Sequence, residues 1–592
     1  MSKRRLVLLA QLPIPPAGLE PIVGNVPLAA GYLIFHARQR GLEDHYEFAI
    51  LPPPIANSYS EQGLVAEILA RDPWMVGFSC YLWNIDRTLW IARELKAQRP
   101  EMLIVLGGPE ITADNAWVLE SGSIDYAVIG EGEQTFSDLL SAHLGDGESQ
   151  AGQGSNSNDS KFPSRDAGHI VPGLWRATNP QIPLFRKPLA NLSDISSPYL
   201  AGILNAADER MLLLETIRGC VFKCKFCYYP KSYDALYFVD ESKIVANLRH
   251  ARDAGAREVV LLDPTLNQRR DFDDFLRLLA RENHDHQFTY FGELRAEGIK
   301  PETAQLLRAA NFTEVEIGLQ SIDPSAQILM DRRNNLKAFE RGVKAMIDAG
   351  IKVKVDLIIG LPGDTVTSVR RGFDYLASSK LFTSTQVFNL AILPGTAFRH
   401  EAGELGLKYQ PRPPYYVYET PTLDTSDLYK LMEDAQDVFD AEWDPFPEPR
   451  LLFGLATRPI DRVTVDLDIV PTPTLPDPTE TAQALAVWFI ASDFSCHRPT
   501  MEQTLAKILE VNPHSTLQVV LEPRGDHRSI DPELLEGLLR VCYQHPNYLD
   551  RYYSLNPQGL MGSKRVIIQL SETADDLWAD TVMDSATLIE LS

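Results

Sequence analysis

Cys220, Cys224 and Cys227 stand in a C-x-x-x-C-x-x-C run within Arg218-Gly-Cys-Val-Phe-Lys-Cys-Lys-Phe-Cys-Tyr-Tyr229. The chain has 6 cysteines in 592 residues, so three on one short loop are not a chance grouping. A 4Fe–4S cluster is usually held by four thiolates. Three protein ligands leave one iron open to a substrate or cofactor. The plainer alternatives are a zinc knuckle completed by a distant His or Cys, because a closed zinc site needs a fourth ligand, or three unrelated buried thiols. Cys80, Cys496 and Cys542 are isolated and read as small hydrophobes.

The elements that must carry this loop alternate between strand-like and helix-like periods over residues 210–410. Met211–Thr216 reads as a strand running into the cysteines. About six strand–helix units follow, ending with the strand Gln386–Ile392. Such a series fits a partial TIM-like (β/α)6 barrel, whose chemistry lies at the C-terminal strand ends. The cysteine loop follows the first strand, where such a site belongs. Asp263, Glu293, Arg295, Gln320, Ser321 and Gly360 fall at later strand ends. Taken alone, Glu293 and Arg295 read as a barrel-end ion pair, and Gln320 and Ser321 as a solvated strand end.

Residues 1–144 form an earlier series of strands and helices, the pattern of a Rossmann- or flavodoxin-like parallel sheet. Ligands of such sheets sit beyond the C-terminal strand ends. Gly107-Gly108 follows the fourth strand, and Gly130-Glu-Gly132-Glu the fifth. Glycine permits close backbone approach to a ligand, though glycine turns alone are ordinary tight connections. Residues 145–209 begin Gly/Ser/Asn-rich and read as a disordered loop and linker. Residues 411–592 read as a small C-terminal α/β domain with strands at Val463–Ile469, Thr516–Leu521 and Lys564–Gln569.

A net charge of −24 argues against a nucleic-acid partner. No apolar run reaches the ~18 residues needed to span a bilayer. Few, clustered cysteines point to a reducing cytoplasm rather than a disulfide framework.

The cysteine spacing resembles that of the radical S-adenosylmethionine (SAM) enzymes. Ile317-Gly-Leu-Gln-Ser321, Val355-Asp-Leu-Ile-Ile-Gly-Leu-Pro-Gly-Asp364 and Leu393-Pro-Gly-Thr396 extend the likeness over residues 210–400. The resemblance implies that Cys220, Cys224 and Cys227 hold a 4Fe–4S cluster whose open iron is chelated by SAM. It further implies SAM contacts from Tyr228, Tyr229, Glu293, Arg295, Gln320, Ser321 and Gly360. The preceding domain then resembles the cobalamin-binding domain of one large radical SAM class, that of the class B methyltransferases. Asn25-Val-Pro-Leu-Ala-Ala-Gly-Tyr-Leu33 matches its helix start. The implied corrinoid contacts are Tyr81, Leu82, Gly107, Gly108, Gly130 and Gly132, with Trp83 and Asn84 beside them. The D-x-H-x-x-G motif that supplies a cobalt-binding His is missing, so the resemblance implies cobalamin without a His lower ligand.

The implied activity is reductive cleavage of SAM and methyl transfer from methylcobalamin to an unactivated carbon of a small molecule. The electron would come from an external flavodoxin- or ferredoxin-like donor. Ring formation or oxidation with the same cofactors is the nearest alternative. A corrinoid-binding or redox-sensing protein without turnover is a more distant one.

Overall fold

The computed structural model describes residues 4–148, 170–192, 195, 197–229, 233, 235–449, 459–469, 474–555, 562–571, 573–574 and 576–590. Most of the Gly/Ser/Asn-rich stretch lies outside them.

The first sheet contains β1 (Arg5–Gln11), β2 (Tyr46–Ile50), β3 (Met75–Ser79), β4 (Leu103–Gly107), β5 (Tyr126–Val128) and β6 (Leu174–Arg176), in the order β2-β1-β3-β4-β5-β6. All neighbours are parallel except β6, which runs antiparallel to β5. Part of the expected linker is therefore an edge strand of this sheet. Side-chain alternation sets the two faces. Val7, Leu9, Met75, Val105 and Val128 pack under the helices Leu28–Gln39 and Gly132–Glu148. Leu8, Ala10, Val76, Ile104 and Ala127 pack against Glu61–Ala70 and Ile85–Gln98. The strand order reverses between β1 and β3, the switch point at which doubly wound sheets bind ligands.

The second module contains β7 (Met211–Leu214), the short pair β8 (Ile217–Arg218) and β9 (Tyr237–Phe238), then β10 (Glu258–Leu261), β11 (Thr289–Leu294), β12 (Glu314–Gln320), β13 (Lys352–Ile359) and β14 (Ser384–Asn389). Six of these form one parallel sheet in the order β14-β13-β12-β11-β10-β7. Its apolar positions pack outward against the helices. The helix Thr425–Phe439 belongs to the same core: Leu428, Leu431, Met432 and Ala435 join it, and the Trp443 indole N–H donates to the Thr385 carbonyl at 2.6 Å. The barrel module thus runs past the sequence boundary at 410. A hairpin of β15 (Lys408–Tyr409) and β16 (Val417–Glu419) sits before that helix.

The C-terminal module is a parallel sheet of β17 (Ile460–Asp466), β18 (Thr481–Ala491), β19 (Thr516–Pro523), β20 (Lys564–Leu570) and β21 (Thr587–Glu590), in chain order. It docks on the first module. The Ser60 N–H donates to the Thr481 carbonyl at 3.0 Å, and the Gln62 N–H to Asn512 Oδ1 at 2.9 Å. Arg551 pairs with Asp86. Beneath this contact Arg87 and Glu61 form a buried ion pair at 2.6 Å, their side chains 3% and 0% exposed. No helix among the described residues is long and apolar enough to cross a membrane.

Removing one member of a buried pair strands the other charge, which costs about 3–5 kcal/mol. Arg87→Ala is therefore expected to lower stability by that order in urea denaturation, whereas Arg277→Ala, exposed on the barrel surface, should change it by less than about 0.5 kcal/mol.

A second test concerns Glu110, which is buried against the Tyr415 hydroxyl at 2.6 Å. Burial raises its pKa from 4.5 to about 7. The folded state keeps this proton after the unfolded chain has lost it, so the contribution to stability falls as pH rises from about 4.5 to about 7. Glu110→Gln should flatten stability measured across that window; an unchanged pH slope would refute the assignment.

Candidate functional site

Two cavities lie at the strand ends, one at the cysteine loop and one on the first sheet. The loop is positioned from below. Asp263, buried after β10, accepts hydrogen bonds from the Thr216 N–H at 2.7 Å, the Ile217 N–H at 2.8 Å and the Thr216 hydroxyl. Gly219 has φ +94°, and a Cβ there would collide with the Ala235 carbonyl. The Val221 N–H donates to Gln268 Oε1 at 3.0 Å, and the Gln268 amide returns to the Gly219 carbonyl at 3.1 Å.

Cys220, Cys224 and Cys227 line one pocket of about 110 Å³ together with Phe222, Thr265, Glu293, Arg295, Glu316, Gly318, Gln320, Arg332 and Asp356. Arg332 Nη1 lies 3.7 Å from Cys224 Sγ, and Arg332 Nη2 donates to the Gly318 carbonyl. Burial pushes the Cys227 thiol up to about 12, and Cys224, Cys220 and Glu293 add to the rise. A bound cation reverses that balance, because a coordinating thiol is deprotonated. No three His, Cys, Asp or Glu side chains among the described residues converge on a single metal ion. A zinc knuckle needs such convergence on one ion, and among the described residues no fourth ligand completes it. A cubane, by contrast, takes each thiolate on a different iron and needs no such convergence.

The pocket walls carry unsatisfied polar atoms: Gln320 Oε1, Arg332 Nε and Asp356 Oδ1 are buried without a hydrogen-bond partner. Together they suit a ligand bearing both charged and hydroxyl groups. Burial, then Glu316, raises Glu293 to about 7 and Asp356 to about 9. Glu316 is itself held by Lys354 at 3.1 Å.

Of the residues singled out from sequence, Glu293, Arg295 and Gln320 reach this pocket. Arg295 lies over the Phe222 ring at 4.3 Å and pairs with Glu297 at 2.7 Å. Ser321 is turned away, its hydroxyl 3.4 Å from Asp364 Oδ1 and accepting from the Asp323 N–H. Gly360 is packed by the protein itself: a Cβ there would meet Leu428 at 3.4 Å, and its φ of +91° accounts for the glycine. Tyr228 and Tyr229 follow the cysteines without lining the pocket. Burial and the nearby Glu293 raise the Tyr229 hydroxyl pKa. Glu316, Arg332 and Asp356 were not anticipated; only their positions on β12, after the short helix Pro324–Leu329 and on β13 bring them in.

The second cavity, about 310 Å³, is floored by Leu9, Gly77, Val105, Val128 and Phe136 and walled by Tyr32, Tyr81, Gly107, Gly108, Gly130 and Gly132. Glu131 and Glu133 of the turn after β5 line its rim, and Glu215, Arg218 and Tyr233 close it from the barrel side. No histidine among the described residues lines it. Gly130, at φ +90°, has open space where a Cβ would stand, whereas a Cβ on Gly108 would meet the Cys80 carbonyl at 2.5 Å. Leu82 lies elsewhere: with Trp83 it packs on Tyr548, Leu549 and Tyr553 of the C-terminal module. Asn84 supports the turn, accepting from the Tyr81 N–H and donating to the Leu12 and Ser79 carbonyls. An apolar floor, glycine edges and a hydrogen-bonding rim fit part of a large cofactor carrying amide groups.

The geometry agrees with the family comparisons. Residues 214–376 match the radical SAM superfamily model and residues 27–140 the B12 binding domain model. The chain thus carries a region similar to each model, the B12-binding one first and the radical SAM one after it. The cofactors of those domains are SAM with a 4Fe–4S cluster, and cobalamin.

Among individual proteins, the chain is 24% identical over 457 residues to the cobalamin-dependent radical SAM methyltransferase TokK of Streptomyces tokunonensis, covering 71% of this chain and 61% of that protein. It is 24% identical over 453 residues to the 2-(S-pantetheinyl)-carbapenam-3-carboxylate methyltransferase of Streptantibioticus cattleyicolor, with the same coverage. The chain thus spans about three fifths of the length of these relatives. The fold is shared with the radical SAM methyltransferase TsrM from Kitasatospora setae (TM-score 0.56, 18% identity, 73% of this chain and 89% of that one).

Cys227→Ala is expected to abolish the iron–sulfur absorption of anaerobically reconstituted protein while leaving far-ultraviolet circular dichroism unchanged. Retention of four irons per chain would refute the ligand assignment.

Proposed function

We propose that this protein is a cobalamin-dependent radical SAM methyltransferase that places a methyl group on an unactivated carbon of a small molecule. The observation that carries the reading is the pairing of the two cavities. A three-cysteine pocket rimmed by unsatisfied polar groups stands beside a glycine-edged cavity that no described histidine lines, and Arg218 borders the second while leading directly into the first.

Cys220, Cys224 and Cys227 would supply the three protein thiolates of a 4Fe–4S cluster at this pocket. Glu293, Gln320, Arg332 and Asp356 bind the charged ends and hydroxyls of SAM. Near neutral pH Asp356 keeps its carboxyl proton, since its pKa lies at about 9, and so presents a donor beside the acceptor Glu316. Gly107, Gly108, Gly130, Gly132 and Tyr81 hold the corrinoid. Burial of the pocket excludes water from reactive species. When bound, the cluster–SAM pair supplies a hydrogen-abstracting radical and the corrinoid a transferable methyl group. The substrate lies between the first two modules, and a flavodoxin- or ferredoxin-like protein in a reducing compartment delivers the electron.

The test uses reconstituted protein, cobalamin, a chemical reductant and SAM labelled in its methyl group. Deoxyadenosine and transfer of label to the corrinoid are both expected. Deoxyadenosine with no label on corrinoid or product would exclude methyl transfer and favour a ring-forming or oxidising reaction. Glu293→Gln should weaken SAM binding by roughly 10- to 100-fold, the worth of one charge-assisted hydrogen bond.

A further inference from the structure

Arg218 occupies β8, two residues before Cys220, and its guanidinium is only 7% exposed. Each of its three nitrogens donates to a different carboxylate: Nε to Glu215 at 2.8 Å, Nη1 to Glu131 at 2.9 Å and Nη2 to Glu133 at 2.8 Å. Its Cζ also lies 5.7 Å from the Tyr32 ring centre. Glu131 and Glu133 belong to the turn after β5 of the first module, and Tyr32 to the helix Leu28–Gln39. Glu215 belongs to the barrel. The guanidinium therefore spans both modules, and all four partners line the 310 Å³ cavity. The far oxygen of Glu131 is held as well, accepting from the Leu189 N–H at 2.7 Å.

An arrangement of this kind is a poor way to gain stability. Desolvating one cation and three carboxylates costs more than an apolar contact of the same size. What it does supply is geometry, because a planar fork with three fixed directions admits one relative placement of its partners. The chain on the other side has no slack either. Asp263 fixes residues 216 and 217, and Gly219 is wedged beneath the Ala235 carbonyl. A shift of the Gly130-Glu-Gly-Glu turn must therefore move Arg218, and with it the first cysteine.

We propose that Arg218 is a positioning residue that couples the corrinoid cavity to the cysteine loop, so that each cofactor site senses whether the other is filled. This inference rests on the cofactor reading above. Coupling is reciprocal by thermodynamic necessity, and such effects are roughly 5- to 150-fold in affinity.

The test titrates hydroxocobalamin by absorbance into iron-free and cluster-reconstituted full-length protein, and records the electron paramagnetic resonance of the reduced cluster with and without corrinoid. In the wild type the corrinoid dissociation constant should change at least about fivefold on cluster loading, and corrinoid should shift the cluster signal. Arg218→Lys keeps the charge but not the fork, so with iron content unchanged both effects should vanish. Glu133→Gln, nearly isosteric, should diminish them and carries the test should the lysine variant fail to fold. Wild-type protein that binds both cofactors independently, or variants that retain full coupling, would overturn the inference alone. Wild-type protein that takes up no corrinoid would overturn the cofactor reading and the inference together.

Discussion

Asp263 is the residue on which the site depends. It sits at the end of β10, 1% exposed, and its two oxygens gather the Thr216 and Ile217 N–H groups and the Thr216 hydroxyl. Burial raises its pKa to about 6, and the three donors oppose that rise. Strand β7 has ended at Leu214, and the chain must turn across the barrel mouth with backbone donors that no neighbouring strand can satisfy. A buried N–H left alone is costly, so one carboxylate both satisfies the turn and sets its direction. Arg218, Gly219 and Cys220 inherit their positions from it.

Above that clamp, strand alternation distributes the chemistry. Along β11, β12 and β13 the even-numbered residues of β11 and the odd-numbered residues Val315, Ile317, Leu319, Val353, Val355 and Leu357 pack under the helices. The intervening positions Glu293, Glu316, Lys354 and Asp356 face the lumen. Parallel pairing brings Glu293 opposite Glu316, and Glu316 opposite Lys354. Burial first, and the neighbouring carboxylate Glu316 second, raise Glu293 to about 7 and Asp356 to about 9, while the Lys354 ammonium opposes the rise.

Local signals were legible in the sequence and long-range ones were not. The cysteine spacing, the βα alternation and the glycine turns are short-range patterns, and they located both cavities. Gln320 and Ser321 looked equivalent, but Gln320 adopts φ +68° at a break in the register of β12, and Ser321 swings to Asp364. Leu82 was misplaced because a module starting more than 370 residues later covers it. Strand β18 was missed because Ala-Leu-Ala-Val-Trp-Phe-Ile-Ala is apolar on both faces and has no alternation to read. The helix Thr425–Phe439 follows a proline-rich break that resembles a domain end, yet its apolar stripe completes the barrel core.

The docking of the last module on the first has a consequence for how the chain is made. Ser60 meets Thr481, Gln62 meets Asn512, and Asp86 meets Arg551. These partners are separated by more than 400 residues of chain. A domain generally folds as it leaves the ribosome, at ≈ 5–20 residues per second. The first sheet therefore waits roughly 20 to 90 seconds for the surface that covers it. During that interval the Ser60 and Gln62 N–H groups lack the Thr481 and Asn512 acceptors that they have in the finished fold. The C-terminal module thus couples the first sheet to a late part of the chain: a product ending before Ile460 keeps the residues of both cavities but lacks the surface that packs against Ser60, Gln62 and Asp86.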